Sequence, residues 1–92
     1  MNVTVEYAAQ VKQAAGVGSE TVEVDAGCSL QQLIRRVADD HGETLQRVIL
    51  DGNGDLHPSI LLFVGDDQVR WDTEVTLNDS DVVTLLSPVS GG

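Results

Sequence analysis

One long stretch of this chain carries the period of an amphipathic helix: Leu30, Leu33, Ile34 and Val37 recur at offsets of three, four and seven, a single apolar stripe. Its start is marked too. Ser29 stands at the N-cap and Gln32 three residues on, the pair that a capping box needs. The serine hydroxyl accepts from the Gln32 backbone N–H while the glutamine side chain reaches back to the Ser29 N–H, so two of the four orphan donors at the helix start are satisfied. Gly42, after His41, is expected to supply a left-handed stop. One stripe covers one face of one sheet, so the rest of the chain has to supply that sheet.

It does so in short runs. Residues 2–8 alternate, with Val3, Val5 and Tyr7 on one side and Asn2, Thr4 and Glu6 on the other, the period of a half-buried strand. Residues 9–15 are alanine-rich and end at Gly16, which predicts a short helical turn before a second strand over 20–24, where Val22 and Val24 alternate. These two strands are expected to pair as a hairpin with a long connection. Leu45, Val48 and Ile49 fit a helical turn or a strand start, the period being too short to separate them. Residues 51–55, Asp-Gly-Asn-Gly-Asp, read as a hairpin tip or tight loop. The apolar run 60–64 suits a central strand, 65–67 a turn, 68–71 a return strand, 78–81 another turn and 82–86 a last buried strand, after which Pro88 ends the ladder. Strand, strand, helix, strands is the plan of an α+β, ubiquitin-like β-grasp, a mixed sheet covered by one main amphipathic helix.

At 92 residues there is room for one core, so a single domain over 1–92 is expected, with a flexible tail at 88–92. Fifteen acids against five bases give a formal charge of -10, which repels phosphate backbones and anionic headgroups. Nucleic acid and membrane are therefore not expected partners. A basic docking surface on another protein is, although the same acidity also serves plain solubility. Cys28 is the single cysteine, which removes a disulfide framework and a thiol zinc set, and a cytoplasmic location fits this best. The first ten residues are neither basic nor continuously apolar, so no signal peptide is expected, and no apolar run reaches the ~18 residues of a membrane span.

Several weaker signals are set aside. Asp51, Asn53 and Asp55 match the opening of a calcium loop, but Leu56 and Leu62 occupy its required glycine and glutamate positions. Gly16 and Gly18 lack the third small residue of a dinucleotide loop, since Thr21 stands there. His41 and His57 have no spaced third ligand, and surface or capping roles are expected of both. Cys28, just before a helix N-terminus, is weighed as a reactive thiol and read instead as a small boundary residue. No metal and no bound cofactor are expected.

The sequence closes on Val89-Ser90-Gly91-Gly92, small residues with nothing obvious to pack against. Two terminal glycines are thin enough to thread a narrow channel and deliver a carboxylate into another protein, and at about 7% glycine per position their chance occurrence comes to roughly 0.5%. At this point the chain resembles the ubiquitin-like sulfur carriers of the MoaD/ThiS type, which include the small subunit of molybdopterin synthase. The resemblance covers nearly the whole chain. It is carried by Tyr7-Ala8-Ala9-Gln10-Val11 with Gly16, by the helix from Ser29, by residues 60–70, and above all by Leu77-Asn78-Asp79-Ser80-Asp81-Val82-Val83 leading to Ser87-Pro88-Val89-Ser90-Gly91-Gly92.

The resemblance implies that Gly92 is the site of adenylation and thiocarboxylate formation and that Gly91 helps the tail to thread. It implies two partners, an E1-like ATP-dependent activating enzyme and a sulfur-acceptor enzyme such as a molybdopterin synthase large subunit, with ATP used by the partner. The chain is then a protein co-substrate and not itself an enzyme. Molybdenum-cofactor synthesis is the expected pathway. Cysteine or thiamine synthesis is the alternative, because residues 45–58 are similar to the longer carriers of the cysteine type. A protein modifier conjugated through Gly92 and a non-covalent interaction module are the rival readings. Phe63, Val83 and Leu85, on the apolar part of the sheet near the last strand, are the candidate docking residues, with a place in the core as the alternative for some of them.

Overall fold

The alternation that opens the chain becomes strand β1 (Asn2–Ala9), with Val3, Val5 and Tyr7 buried and Thr4, Glu6 and Ala8 turned to the other face. The computed structural model describes residues 1–87; positions 88–92, which carry the expected ladder stop at Pro88 and the Gly91-Gly92 end, lie outside the described residues. After β1 come α1 (Gln10–Ala15), β2 (Ser19–Glu23), α2 (Leu30–His41), α3 (Glu43–Ile49), β3 (Leu61–Val64), β4 (Asp67–Val69) and β5 (Val82–Ser87). β1 and β2 pair antiparallel across α1, the hairpin with a long connection that the sequence predicts. The sheet runs β2-β1-β5-β3-β4, and β5 lies parallel to β1 and antiparallel to β3. This mixed five-stranded sheet with its helices is the β-grasp.

The run at 60–64 forms β3 as an interior strand, paired with β5 on one side and β4 on the other. The middle of the sheet is taken by β5, between β1 and β3. A continuous apolar run suits an interior strand and does not fix its place in the strand order. β4 is also shorter than 68–71. Gln31 Nε2 donates to the carbonyls of Trp71 at 2.6 Å and Thr73 at 3.0 Å, which draws the chain off the ladder and onto α2.

The capping box forms as expected: Gln32 N–H donates to Ser29 Oγ at 3.1 Å and Ser29 N–H to Gln32 Oε1 at 3.0 Å. Leu30, Leu33, Ile34 and Val37 then pack against the inward side chains of the sheet. Gly42 departs from expectation. Its φ of 88° is positive, but its ψ of -166° is extended, so it is no left-handed stop. It serves two helices at once, donating its N–H to Ala38 and accepting from Gln46 N–H, each at 3.1 Å. That turns the chain at once into α3, which settles the open segment as a helix with Leu45 and Ile49 buried. The loop at 51–55 is closed by its own aspartate, Asp51 Oδ1 accepting from the backbone N–H groups of Asn53 at 2.8 Å and Asp55 at 3.1 Å.

At one edge of the helix layer three polar side chains meet. Tyr7 on β1 donates its hydroxyl to Glu20 Oε2 on β2 at 2.6 Å, the same oxygen is bonded to His41 Nε2 at the end of α2, and the tyrosine and histidine rings stand edge to face with centroids 5.7 Å apart. Burial, then the Glu20 bond, pushes the Tyr7 phenol far above its ordinary value. Burial also pushes Glu20 up, but the bonds from Tyr7 and His41, with the histidine charge, outweigh it and hold the carboxyl below its ordinary 4.5. A lowered folded value means stability that is present above pH 4.5 and lost as pH falls through that lower value. Tyr7→Phe is expected to cost about 1.5 kcal/mol at neutral pH, by removing a bond to a charged acceptor. Urea titrations across the acid range should show wild type losing more stability on acidification than Tyr7→Phe, whose Glu20 has less to lose.

Candidate functional site

Strand β5 leads toward Gly91 and Gly92, and its last residue, Ser87, lies beside Ala9 in the parallel register with β1. Ser87 is itself buried. A strand held from both sides is the least yielding place in a small sheet from which to project a segment for another protein to grip. The expected reacting residues, Gly91 and Gly92, follow it outside the described residues.

The position across from Ser87 is strained. Ala9 has φ 57° and ψ -129°, a combination suited to the first central residue of a type II′ turn, where glycine belongs. The strain allows β1 to break straight into α1 beside the β5 end. Ala9→Gly is expected to stabilise the protein by about 1 kcal/mol, read as a raised urea midpoint with unchanged slope.

One face of the sheet packs under the helices; the other is open, and its composition follows from the register. One row across it is Ala8, Leu86, Leu61, the row nearest the β5 end; the next is Ser19, Glu6, Thr84, Phe63, Gln68. Ala8, Leu61, Phe63 and Leu86 are half-buried and stand apart from the core cluster that holds the helix-facing side chains. Together they make a continuous apolar patch within one strand-length of Ser87. Its floor is stiff, since each patch residue sits on a paired strand.

For two of the three candidate docking residues the core alternative holds, and they are corrected as docking residues. Val83 and Leu85 are fully buried on the helix side, because β5 alternates with those two and Ser87 inward and Val82, Thr84 and Leu86 outward. Phe63 does lie on the open face. Leu61, Leu86 and Ala8, which sequence reasoning missed, share that face with it, and the signal that finds them is the pairing of Leu61 with Leu86 and of Ala8 with Leu86.

The remaining candidates have structural work. Cys28 packs against the core and donates to the Ser29 carbonyl at 3.4 Å. Burial, abetted by Asp25 and opposed by Arg36, pushes its thiol above its ordinary value, so the helix N-terminus creates no reactive thiolate. His41 is engaged with Glu20, and His57 Nδ1 is within 2.8 Å of Ser59 Oγ. Among the described residues no group of three histidine, cysteine or acidic side chains is placed to hold a metal ion, and no helix is long and apolar enough to cross a membrane.

With this geometry in view, comparison with known proteins gives the following. The model of the ThiS family matches residues 5–92. No curated protein sequence matches significantly. Among solved structures, the chain is similar to a putative molybdopterin converting factor, subunit 1, from Pyrococcus furiosus, at 30% identity over 97% of this chain and 99% of that one, with a TM-score of 0.72. It is similar to the small archaeal modifier protein 1 of Methanosarcina acetivorans, at 25% identity over 99% and 96% with a TM-score of 0.80. It is also similar to a chain of the BexX/CysO complex of Amycolatopsis orientalis, at 29% identity over 98% and 99% with a TM-score of 0.70.

Proposed function

Because the chain belongs to the ThiS family, we propose that it is a sulfur carrier whose Gly92 carboxylate is adenylated by an E1-like enzyme and then converted to a thiocarboxylate. The observation that carries this reading is the family match running through the Gly91-Gly92 pair, in a chain whose central strand is the last described element before that pair. A carboxylate at neutral pH is a poor electrophile, being anionic and having oxide as its only leaving group. Adenylation at the expense of ATP removes the charge and supplies a good leaving group, with pyrophosphate released. A sulfur donor then displaces AMP, and the resulting thiocarboxylate is the nucleophile handed to an acceptor enzyme. Stabilisation of the transition states belongs to those partners. The chain contributes the reacting carbon, a slender approach through Gly91, and the open face with Phe63, Leu61 and Leu86 as the surface on which partners seat.

Molybdopterin synthesis is the pathway we favour, with a molybdopterin synthase large subunit as acceptor, in the cytoplasm; the similarity to the Pyrococcus furiosus protein supports it. The similarity to a small archaeal modifier favours a second reading, conjugation of Gly92 to lysines of other proteins. Incubation with ATP, an activating enzyme and a sulfur donor, followed by intact mass analysis, separates them. Pyrophosphate release that requires Gly92, with sulfur replacing one terminal oxygen, supports the carrier. Isopeptide adducts on target lysines without thiocarboxylate support the modifier, and absence of Gly92-dependent pyrophosphate release overturns both.

A further inference from the structure

The basic residues are distributed unevenly. Lys12 lies on α1, Arg35 and Arg36 on α2 and Arg47 on α3, while Arg70 alone follows directly from a strand. Gln68 pairs with Phe63 and Val69 with Leu62; Arg70, one residue past the end of β4, has the parity of Gln68 and so that of the open face. Leu61, Gln68 and Arg70 share the lining of a shallow groove of about 390 Å³ with the 56–58 segment, Trp71 and Asp72 among others. On the opposite flank, in the row of Phe63, stands Glu6, exposed and held by Thr84 Oγ1 at 3.3 Å. The apolar patch is thus bracketed by one anion on β1 and one cation just past β4, three strand spacings or about 14 Å across the sheet and one row along it.

Apolar contacts give a partner area but no direction, whereas two opposite charges at the ends of a patch allow one rotation about the sheet normal and penalise the reverse. We propose that Glu6 and Arg70 set the orientation in which the activating enzyme docks: it lays a basic side chain over Glu6, an acidic side chain over Arg70 and an apolar one between them, on the Phe63 and Leu61 patch. This rests on the sulfur-carrier reading and adds the chemistry of the partner surface. Asp72 enters the same argument. It takes the Arg70 Nε and Nη2 donors at 3.1 and 2.9 Å and leaves the remaining guanidinium donors for a visitor. Both side chains of that pair are well exposed, so an incoming carboxylate opens it at little cost.

The test is the rate of pyrophosphate release by the activating enzyme with ATP, measured as kcat/KM and kcat for wild type and four variants, each checked for folding by thermal unfolding. General attraction of an acidic carrier to a basic enzyme predicts that Arg70→Glu and Arg47→Glu both speed encounter and that Asp72→Asn slows it. The orientation proposal predicts the reverse at the face. Glu6→Lys and Arg70→Glu should each lower kcat/KM by about tenfold through KM, and Asp72→Asn should raise it about twofold by releasing Arg70. Arg47→Glu, on the far helix, should not lower it. Arg70→Glu behaving like Arg47→Glu, or Glu6→Lys leaving kcat/KM unchanged, overturns the proposal while wild-type turnover leaves the carrier reading standing. Failure of the wild type itself to release pyrophosphate in a Gly92-dependent way overturns the carrier reading, and the orientation proposal with it.

Discussion

Phe63→Asp is expected to leave a folded protein that the activating enzyme barely recognises, with kcat/KM for pyrophosphate release reduced about 30-fold or more and kcat little changed. Phe63 sits on the open face, paired with Thr84 on β5 and Gln68 on β4, and outside the core cluster. Replacing it removes no contact on which the helices depend, so the stability cost is confined to the strand preference and the cross-strand neighbours, about 1 kcal/mol. At a docking surface the same change is severe. It deletes the largest apolar side chain of the patch and requires a carboxylate to be stripped of water without a partner. Phe63→Leu, which keeps the apolar contact, should retain most of the activity. Unchanged kcat/KM for the aspartate variant, with its fold verified by thermal unfolding, would remove the open face from the functional site.

How much of this site could be read from the chain depends on whether the information is local. The capped helix from Ser29, the alternation of β1 and the tight loop at 51–55 are fixed by residues within a few positions of one another, and they form as read. The order of strands is not local. Whether β3 or β5 takes the middle depends on which edges pair after collapse. The face of β5 that meets the helices is not local either: the register of Val83 with Val5 and of Leu85 with Tyr7 puts both in the core. Period alone separates two faces of a strand without saying which faces the helix. Gly42 shows a second limit, since a glycine after a helix signals a positive φ, while the ψ that sends the chain into α3 rather than into a loop depends on what packs next.

One signal was present and unread. Glu20 shares the inward parity of Val22 on β2, and an acid on the core face of a strand requires a partner. The partners are Tyr7, 13 residues away, and His41, 21 residues away. Tyr7 also occupies an inward slot, so its hydroxyl too required an acceptor. The two demands answer each other.

Leu85→Ala should produce the largest loss of stability, about 3 kcal/mol, within the 2–5 kcal/mol seen when a buried leucine is truncated. Leu85 has no exposed surface, lies on the central strand and is flanked by Tyr7 on β1 and Leu62 on β3, both nearly fully buried. Neighbours tied into ladders on both sides cannot close around the lost methyl groups, so the cavity persists and its cost adds to the lost transfer free energy. A domain of this size holds roughly 5–14 kcal/mol in total, and at about 4–8 °C per kcal/mol the unfolding temperature should fall by about 12–24 °C. Thr84→Ala, one residue earlier and facing the other way, should cost under about 1 kcal/mol. Paired urea titrations of the two variants measure the contrast. Near-equal losses would mean that β5 does not separate a packed face from an open one, and the surface built on Phe63, Leu61 and Leu86 would lose its physical basis along with the anchored strand that leads to Gly92.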